Sequence, residues 1–313
     1  MKYFVTGGAG FVGSNLCEYL LKTGSDRITV YDNFSNGRRA FLQGLAGGSR
    51  LEVIEGDVLN FDLLLGALSG HDFVIHLAAN ADIAASSRQT DLDLKQTVLG
   101  TFNVVEAMRR SGVKKIIYSS GSGVYGDVGG KATAETYGPL LPVSMYGATK
   151  LGAEGLISAF AQLFGIQAWM FRFANVIGPR QTHGVAYDFI RKLRKDPGRL
   201  EVLGNGLQSR SYIHVDDVFR AVFHVVAHET SAVSVYNVGT GDYITVKRIA
   251  EVVLEEMKLP DARVEFGDAP FGWKGDIPAV ALNDDKIRAM GWRQNYSSEE
   301  AVRRSIRQML EYM

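Results

Sequence analysis

Residues 6–13 read Thr-Gly-Gly-Ala-Gly-Phe-Val-Gly, and this stretch decides the fold. It follows an apolar run at Tyr3–Thr6 and opens a helical pattern at Val12–Lys22. Gly7, Gly10 and Gly13 suit a tight strand-to-helix turn whose backbone a pyrophosphate can approach, with the N–H groups of the helix start aimed at it. A glycine triplet alone is a weak signal. Asp32 strengthens it, because it closes the next apolar run, Ile28–Tyr31, where a carboxylate can take ribose hydroxyls and repel a 2′-phosphate. Together they predict NAD rather than NADP. Arg38 and Arg39 argue the other way, since they can bind that phosphate; arginines in such loops are more often solvated, and Asp32 is weighted above them.

Outward from this turn, apolar runs at Leu51–Glu55, Phe73–His76, Lys115–Ser119 and Ala168–Phe173 alternate with helical patterns at Asp62–Leu68, Thr97–Arg110 and Tyr146–Phe164. Such alternation predicts an α/β fold, a doubly wound parallel sheet of Rossmann type with ligands at the carboxyl ends of its strands. After Asn175 the pattern loosens into helices at Val185–Arg194, Val215–His228, Val246–Met257 and Ser298–Tyr312, with short strands between them. The expected domains are 1–174, with 211–240 returning to it, and a smaller interleaved C-terminal lobe from 175–210 and 241–313.

Lys+Arg and Asp+Glu both number 34, so the net charge is zero and nothing points to nucleic acid. The single cysteine, Cys17, cannot form an internal disulfide and falls in an apolar helical stretch, where it reads as a packed thiol. No metal site is expected. The opening MKYFVTGG enters a strand at once and no apolar run reaches membrane length, so a cytoplasmic protein is expected.

The chemistry is best marked by Tyr146 and Lys150 in SMYGATK. Residues at i and i+4 share a helix face, and an ammonium there favours the ionised phenol, lowering an ordinary pKa of about 10 towards a usable base. A surface helix carrying the two residues by accident would explain the pair taken alone. Asp57, in GDV, can accept from an adenine amino group or cap a helix; the sequence leaves both open. The small residues of HLAAN (76–80) suit a backbone pressed against a cofactor, or tight helix packing.

TGGAGFVG (6–13), DNFSNG (32–37), GDV (56–58), HLAA (76–79), SSGSGVYG (119–126), YGATK (146–150), RFANVIGPR (172–180), SRSYIHVDD (209–217) and NVGTG (237–241) resemble, in order and spacing, the extended short-chain dehydrogenase/reductase family, in particular its nucleotide-sugar epimerases and dehydratases. The resemblance covers essentially the whole chain. It implies NAD bound by Gly7, Gly10, Phe11, Val12, Gly13, Asp32, Asn33, Ser35, Asn36, Gly37, Asp57, Val58, Leu77, Ala78, Ala79, Tyr146 and Lys150. It implies 4-epimerisation of a UDP-hexose, in which Tyr146 takes the 4-hydroxyl proton while C4 is oxidised to a ketone, and hydride later returns to the opposite face. Lys150 would tune Tyr146 and hold the nicotinamide ribose. Nucleotide-sugar contacts are implied for Asn175 and Arg210 on the diphosphate side, Gly184, Val185, Val202 and Leu203 around the uridine, and Asp276 on its ribose. Core packing remains the plain alternative for Val185, Val202 and Leu203, and a surface ion pair for Arg210. A homodimer built on the helices around 97–110 and 146–164 is also implied.

The sequence departs from the family's pattern at Gly121, Trp273 and Val280. The family's catalytic Ser or Thr, four residues before the tyrosine of VYG, is replaced by Gly121. Ser120 and Ser122 flank the gap, but neighbouring strand residues face opposite sides. Direct transfer to Tyr146 or a water bridge is preferred over replacement by Ser122, which stays a candidate catalytic residue. The dehydratase Asp-Glu pair is replaced by Ser122 and Gly123, which argues against 4,6-dehydration. Trp273 stands where epimerases often carry a phosphate-binding arginine, with Lys274 or Arg180 as possible substitutes. Val280, of modest bulk, predicts tolerance of N-acetylhexosamines. The competing readings are a uronic-acid epimerase, decarboxylase or 4-ketoreductase, or a catalytically weak nucleotide-sugar-binding protein.

Overall fold

Strand β1 (Lys2–Thr6) is buried at four consecutive positions, and β2 (Arg27–Asp32) at five. Burial without alternation means that both faces are covered, as in a parallel sheet flanked by helices. A computed structural model of the chain describes all residues except 26, 46–47, 81–85, 87, 270–278 and 313. Five further strands, β3 (Leu51–Glu55), β4 (Phe73–His76), β5 (Lys115–Gly121), β6 (Gln167–Phe173) and β7 (Val233–Val238), complete a seven-stranded sheet in the order β7-β6-β5-β4-β1-β2-β3. The registered pairs from β3 through β5 are all parallel. The order reverses between β1 and β4, the crevice where ligands of such sheets sit.

The chain divides into two units. The first comprises 1–126, 138–172 and 222–236, and the second 127–137, 173–221 and 237–313. In the first, the helices Phe61–Leu68, Gly100–Ser111 and Met145–Phe164 pack Leu64, Leu68, Met108 and Ile157 onto Phe4, Val74 and Ile116 of the sheet. Cys17 is fully buried in the helix Phe11–Lys22, as its apolar surroundings predict. The second unit gathers Phe189, Ile190, Val253, Val302 and Ile306 from the helices Val185–Lys195, Val246–Met257 and Ser298–Tyr312 into its own core. There Tyr212–His214 pairs with Asn175–Ile177, and Arg199–Val202 with Arg263–Phe266.

One helix departs from the sequence pattern. The stretch read as helical from Thr97 begins at Asp91, widens into a π-helical segment at Leu94–Leu99 and becomes α-helical only at Gly100. π-Segments inside helices recur at functional sites, and this one packs along the helix that carries Tyr146 and Lys150.

Candidate active site

The turn after β1 is built by close approach. Gly7 has φ +70°, and a Cβ there would lie 2.8 Å from Ala78 N. A Cβ on Gly13 would collide with Gly7 O. No side chain caps the N-terminus of the helix Phe11–Lys22 at Gly10, and no acid occupies its first turn. Its N–H groups and positive dipole end therefore remain available to an anion. Phe11, Val12, Leu77, Ala78 and Ala79 are all partly exposed around the turn.

Asp32 is held by the backbone, with Oδ2 accepting from Ala9 N at 2.9 Å and Oδ1 from Phe34 N at 2.8 Å. Burial raises its pKa, and these two hydrogen bonds oppose the rise. Gly37 lies close by, where a Cβ would sit 2.7 Å from Asp32 Oδ1. Arg39 is engaged, pairing with Glu55 and covering the Phe34 ring at 4.1 Å, while Arg38 lies 5.6 Å over Phe41. The cradle therefore fits a dinucleotide with free ribose hydroxyls.

Asp57 joins two loops. Its Oδ1 accepts from Leu59 N at 2.9 Å and its Oδ2 from Asn33 Nδ2 at 2.8 Å, tying the turn after β3 to the loop after β2. The helix that follows is capped by Asn60. Asn33 Oδ1 in turn accepts from Ser35 N, and Ser35 and Asn36 are exposed. Val58 packs in the core, and its carbonyl accepts from Asn103 Nδ2 at 2.9 Å.

Tyr146 and Lys150 stand in the first two turns of the helix Met145–Phe164, whose N-cap Ser144 accepts from Gly147 N. The helix start presses on the turn after β5, because a Cβ on Gly147 would collide with Gly123 O. Lys150 is buried and donates to Ser119 O at 2.6 Å, with Nζ 4.9 Å from the Tyr118 ring centre and 5.7 Å from that of Tyr146. Burial lowers it to about 8, although Glu154 and Asp93 pull it back up. Tyr146 keeps some accessible surface, yet the crowding around it pushes its phenol up to about 12, and Asp93 adds to the rise. Within the chain alone, desolvation is the larger influence on this phenol.

Gly121 is the residue that faces the phenol. A Cβ there would lie 3.6 Å from Tyr146 Oη and 3.9 Å from its Cε1. Ser120 points away and donates to Glu154 Oε1 at 2.5 Å. The chain turns into a 3₁₀ helix at Ser122, and no hydrogen bond joins Ser122 to Tyr146 among the described residues.

Several further buried groups surround this pair. Asp93 is fully buried and accepts from Asn80 Nδ2 at 3.0 Å and Ser86 Oγ at 2.5 Å. It lies just before the π-segment, where no helical period signals it. His76 is buried between Thr6 Oγ1 at 2.7 Å and Thr101 Oγ1 at 3.0 Å; burial first and Lys150 second lower its pKa to about 3. Glu154 had a readable signal, since it continues the 146–150 spacing by one turn.

In the second unit, Asn175 and Arg210 are partly exposed at the starts or ends of short strands, and Gly184 has φ +100° just before Val185 begins its helix. Leu203 is exposed, whereas Val202 is 1% exposed and belongs to the core, its side chain closed to a ligand. Trp273, Lys274 and Asp276 lie outside the described residues, as does the side chain of Val280. Among the described residues, no group of three or more metal-ligating side chains occurs, and no helix is long and apolar enough to cross a membrane.

Residues 3–239 match the model of the NAD dependent epimerase/dehydratase family. The chain belongs to that family. Its cofactor is accordingly NAD, which the Gly7–Gly13 cradle and Asp32 fit. Among curated relatives, a UDP-glucose 4-epimerase of Corynebacterium glutamicum is 32% identical over 96% of this chain and 93% of its own. A UDP-glucuronic acid decarboxylase of Arabidopsis thaliana is also 32% identical, over 98% of this chain and 69% of its own. Among solved structures, the UDP-glucose 4-epimerase of Thermotoga maritima with UDP-glucose superposes with a TM-score of 0.88 at 32% identity, covering 100% of this chain and 99% of that one.

Proposed function

We propose that this chain is an NAD-dependent 4-epimerase of a UDP-linked hexose, interconverting glucose and galactose forms and accepting N-acetylhexosamines. The observation that carries the reading is the Tyr146–Lys150 dyad set against Ser119 and Gly121 at the carboxyl end of β5. NAD supplies a reversible hydride acceptor there. Tyr146 takes the 4-hydroxyl proton and returns it, and Lys150 holds the ribose and keeps a positive charge beside the phenol. Ser122 and Gly123 carry no carboxyl group, which weighs against elimination of water by an acid/base pair at these two positions. Asn175, Gly184, Val185, Leu203, Arg210 and Asp276 are assigned to the nucleotide sugar, Arg210 through the charge-assisted bonds that guanidinium makes to phosphate. Val202 is left out of the side-chain contacts because it is core.

A UDP-uronic acid conversion is the second reading, favoured by the decarboxylase among the relatives. The proposed assembly is a cytoplasmic homodimer through the helices Gly100–Ser111 and Met145–Phe164, where Phe102, Leu163 and Phe164 expose apolar surface. Incubating purified protein with UDP-hexoses, UDP-N-acetylhexosamines and UDP-uronic acids, and following C4 configuration by NMR, tests the function. Inversion of UDP-glucose at C4 without added cofactor supports it. Carbon dioxide release from UDP-glucuronate would favour the second reading, and turnover of no N-acetylhexosamine would sink the predicted tolerance.

A further inference from the structure

Asp32 and Glu55 are register partners at the carboxyl ends of β2 and β3, and Gly56 N donates to Asp32 O at 3.0 Å. The loop that leaves β2 folds back over these two acids. Arg38 N donates to Ala9 O at 2.9 Å, while Ala9 N donates to Asp32, and a Cβ on Gly37 would touch both Asp32 and Ala9. Residues 37–39 therefore lie against the turn where an adenosine ribose belongs. In Rossmann sheets the acid at this place reads a free 2′-hydroxyl, whereas an arginine nearby accommodates a 2′-phosphate. This chain carries both kinds of residue, so what becomes of Arg39 bears on whether NADP can enter.

Arg39 is held at two points. Its Nη2 pairs with Glu55, and its guanidinium carbon lies 4.1 Å from the centre of the Phe34 ring. Phe34 reaches that position through an unusual backbone. Its φ is +57°, in the left-handed region that bulky residues seldom adopt. The bend is fixed by Asp32 Oδ1, which accepts from Phe34 N at 2.8 Å, and by Asn33 Oδ1, which accepts from Ser35 N at 3.0 Å. Asp32 thus shapes the ring that stacks on Arg39, and its neighbour across the sheet supplies the counter-charge. We propose that Glu55 is a second determinant of cofactor choice: together with the Phe34 ring it withholds Arg39 from a 2′-phosphate, so that NADP is refused by a captured cation as well as by the charge of Asp32. To serve a 2′-phosphate, Arg39 must give up a carboxylate and a ring together. Side-chain exposures of 60% and 63% make the pair a modest one, which sets the size of the effect.

The test is a double-mutant cycle of Glu55→Gln and Arg39→Met in the full chain carrying Asp32→Ser, which removes the repelling charge and leaves a hydroxyl able to accept from Phe34 N. Each protein is equilibrated with NAD and an excess of NADP, freed of unbound dinucleotide by gel filtration and denatured, and the released NADP and NAD are counted. Glu55→Gln should raise the NADP:NAD ratio by roughly two- to fivefold, the worth of an exposed ion pair. With Arg39→Met in place the same substitution should leave the ratio unmoved. Arg39→Met by itself should change little, because the cation is already withheld. Phe34→Leu, with Glu55 kept, should raise the ratio as well. A gain from Glu55→Gln that persists without Arg39 reflects only the loss of a negative charge, and overturns the proposal. No gain, including no NADP on any of the proteins, overturns it equally, as does an unmoved ratio in Phe34→Leu. The readout counts dinucleotide rather than turnover, so it is independent of which sugar is converted.

Discussion

Gly121→Ser should make this protein faster, which few substitutions beside a catalytic group do. Among the described residues outside its chain neighbours, a Cβ at 121 meets only Tyr146 within 4 Å, at 3.6 Å from Oη and 3.9 Å from Cε1. Gly121 has φ −161° and ψ 164°, extended backbone that serine adopts without cost. A serine Oγ, about 1.4 Å beyond Cβ, comes within the roughly 2.6–3.0 Å of an O–H···O bond to the phenol when its rotamer points there. It would then donate to or accept from Tyr146 and relay the sugar proton. Positioned proton transfer contributes about 10²–10⁴-fold; since Tyr146 is already present, a gain below that range, about 10-fold in kcat, is expected. Replacing a strand glycine also restricts the unfolded chain, adding about 0.4–1 kcal/mol of stability to both Gly121→Ser and Gly121→Ala. The assay is steady-state epimerisation of UDP-glucose by all three proteins, with melting temperatures measured in parallel. If Gly121→Ser is no faster than Gly121→Ala while both are folded, Tyr146 needs no relay and the reasoning fails.

Tyr146→Phe should lower kcat by about 10²–10⁴-fold while NAD, released by denaturation and measured by absorbance, stays at the parent stoichiometry; loss of NAD would make the residue a binding group instead. Gly13→Ala puts a methyl into Gly7 O, and should remove bound NAD and cost roughly 2–3 kcal/mol, read by denaturant melts. His76 is held neutral down to about 3, against an ordinary value near 6.5. The unfolded chain therefore binds this proton first as pH falls, and stability declines from about 6.5 towards 3, by up to ~5 kcal/mol from this group. Melting temperatures across that interval should fall less steeply for His76→Asn, and an equal slope would refute the assignment.

Much of the site was legible because its chemistry is local. The glycine turn, Asp32 and the Tyr146–Lys150 spacing are short-range patterns whose consequences follow from helix and strand geometry alone. Periodicity also located the strands, since continuous apolar runs reflect burial on both faces. It failed at Asp91–Leu99, where a π-segment breaks the 3.6-residue repeat, and so hid Asp93.

By itself, the sequence determined a dinucleotide-binding parallel sheet, a phenol and an ammonium on one helix face, and a glycine where a hydroxyl was expected. Only the tertiary structure decided that Gly121 faces Tyr146 and that Ser120 is turned away onto Glu154. The reason is physical: spacing along a helix sets which groups can meet, whereas their charge states depend on desolvation and on partners from distant strands, which only packing brings near.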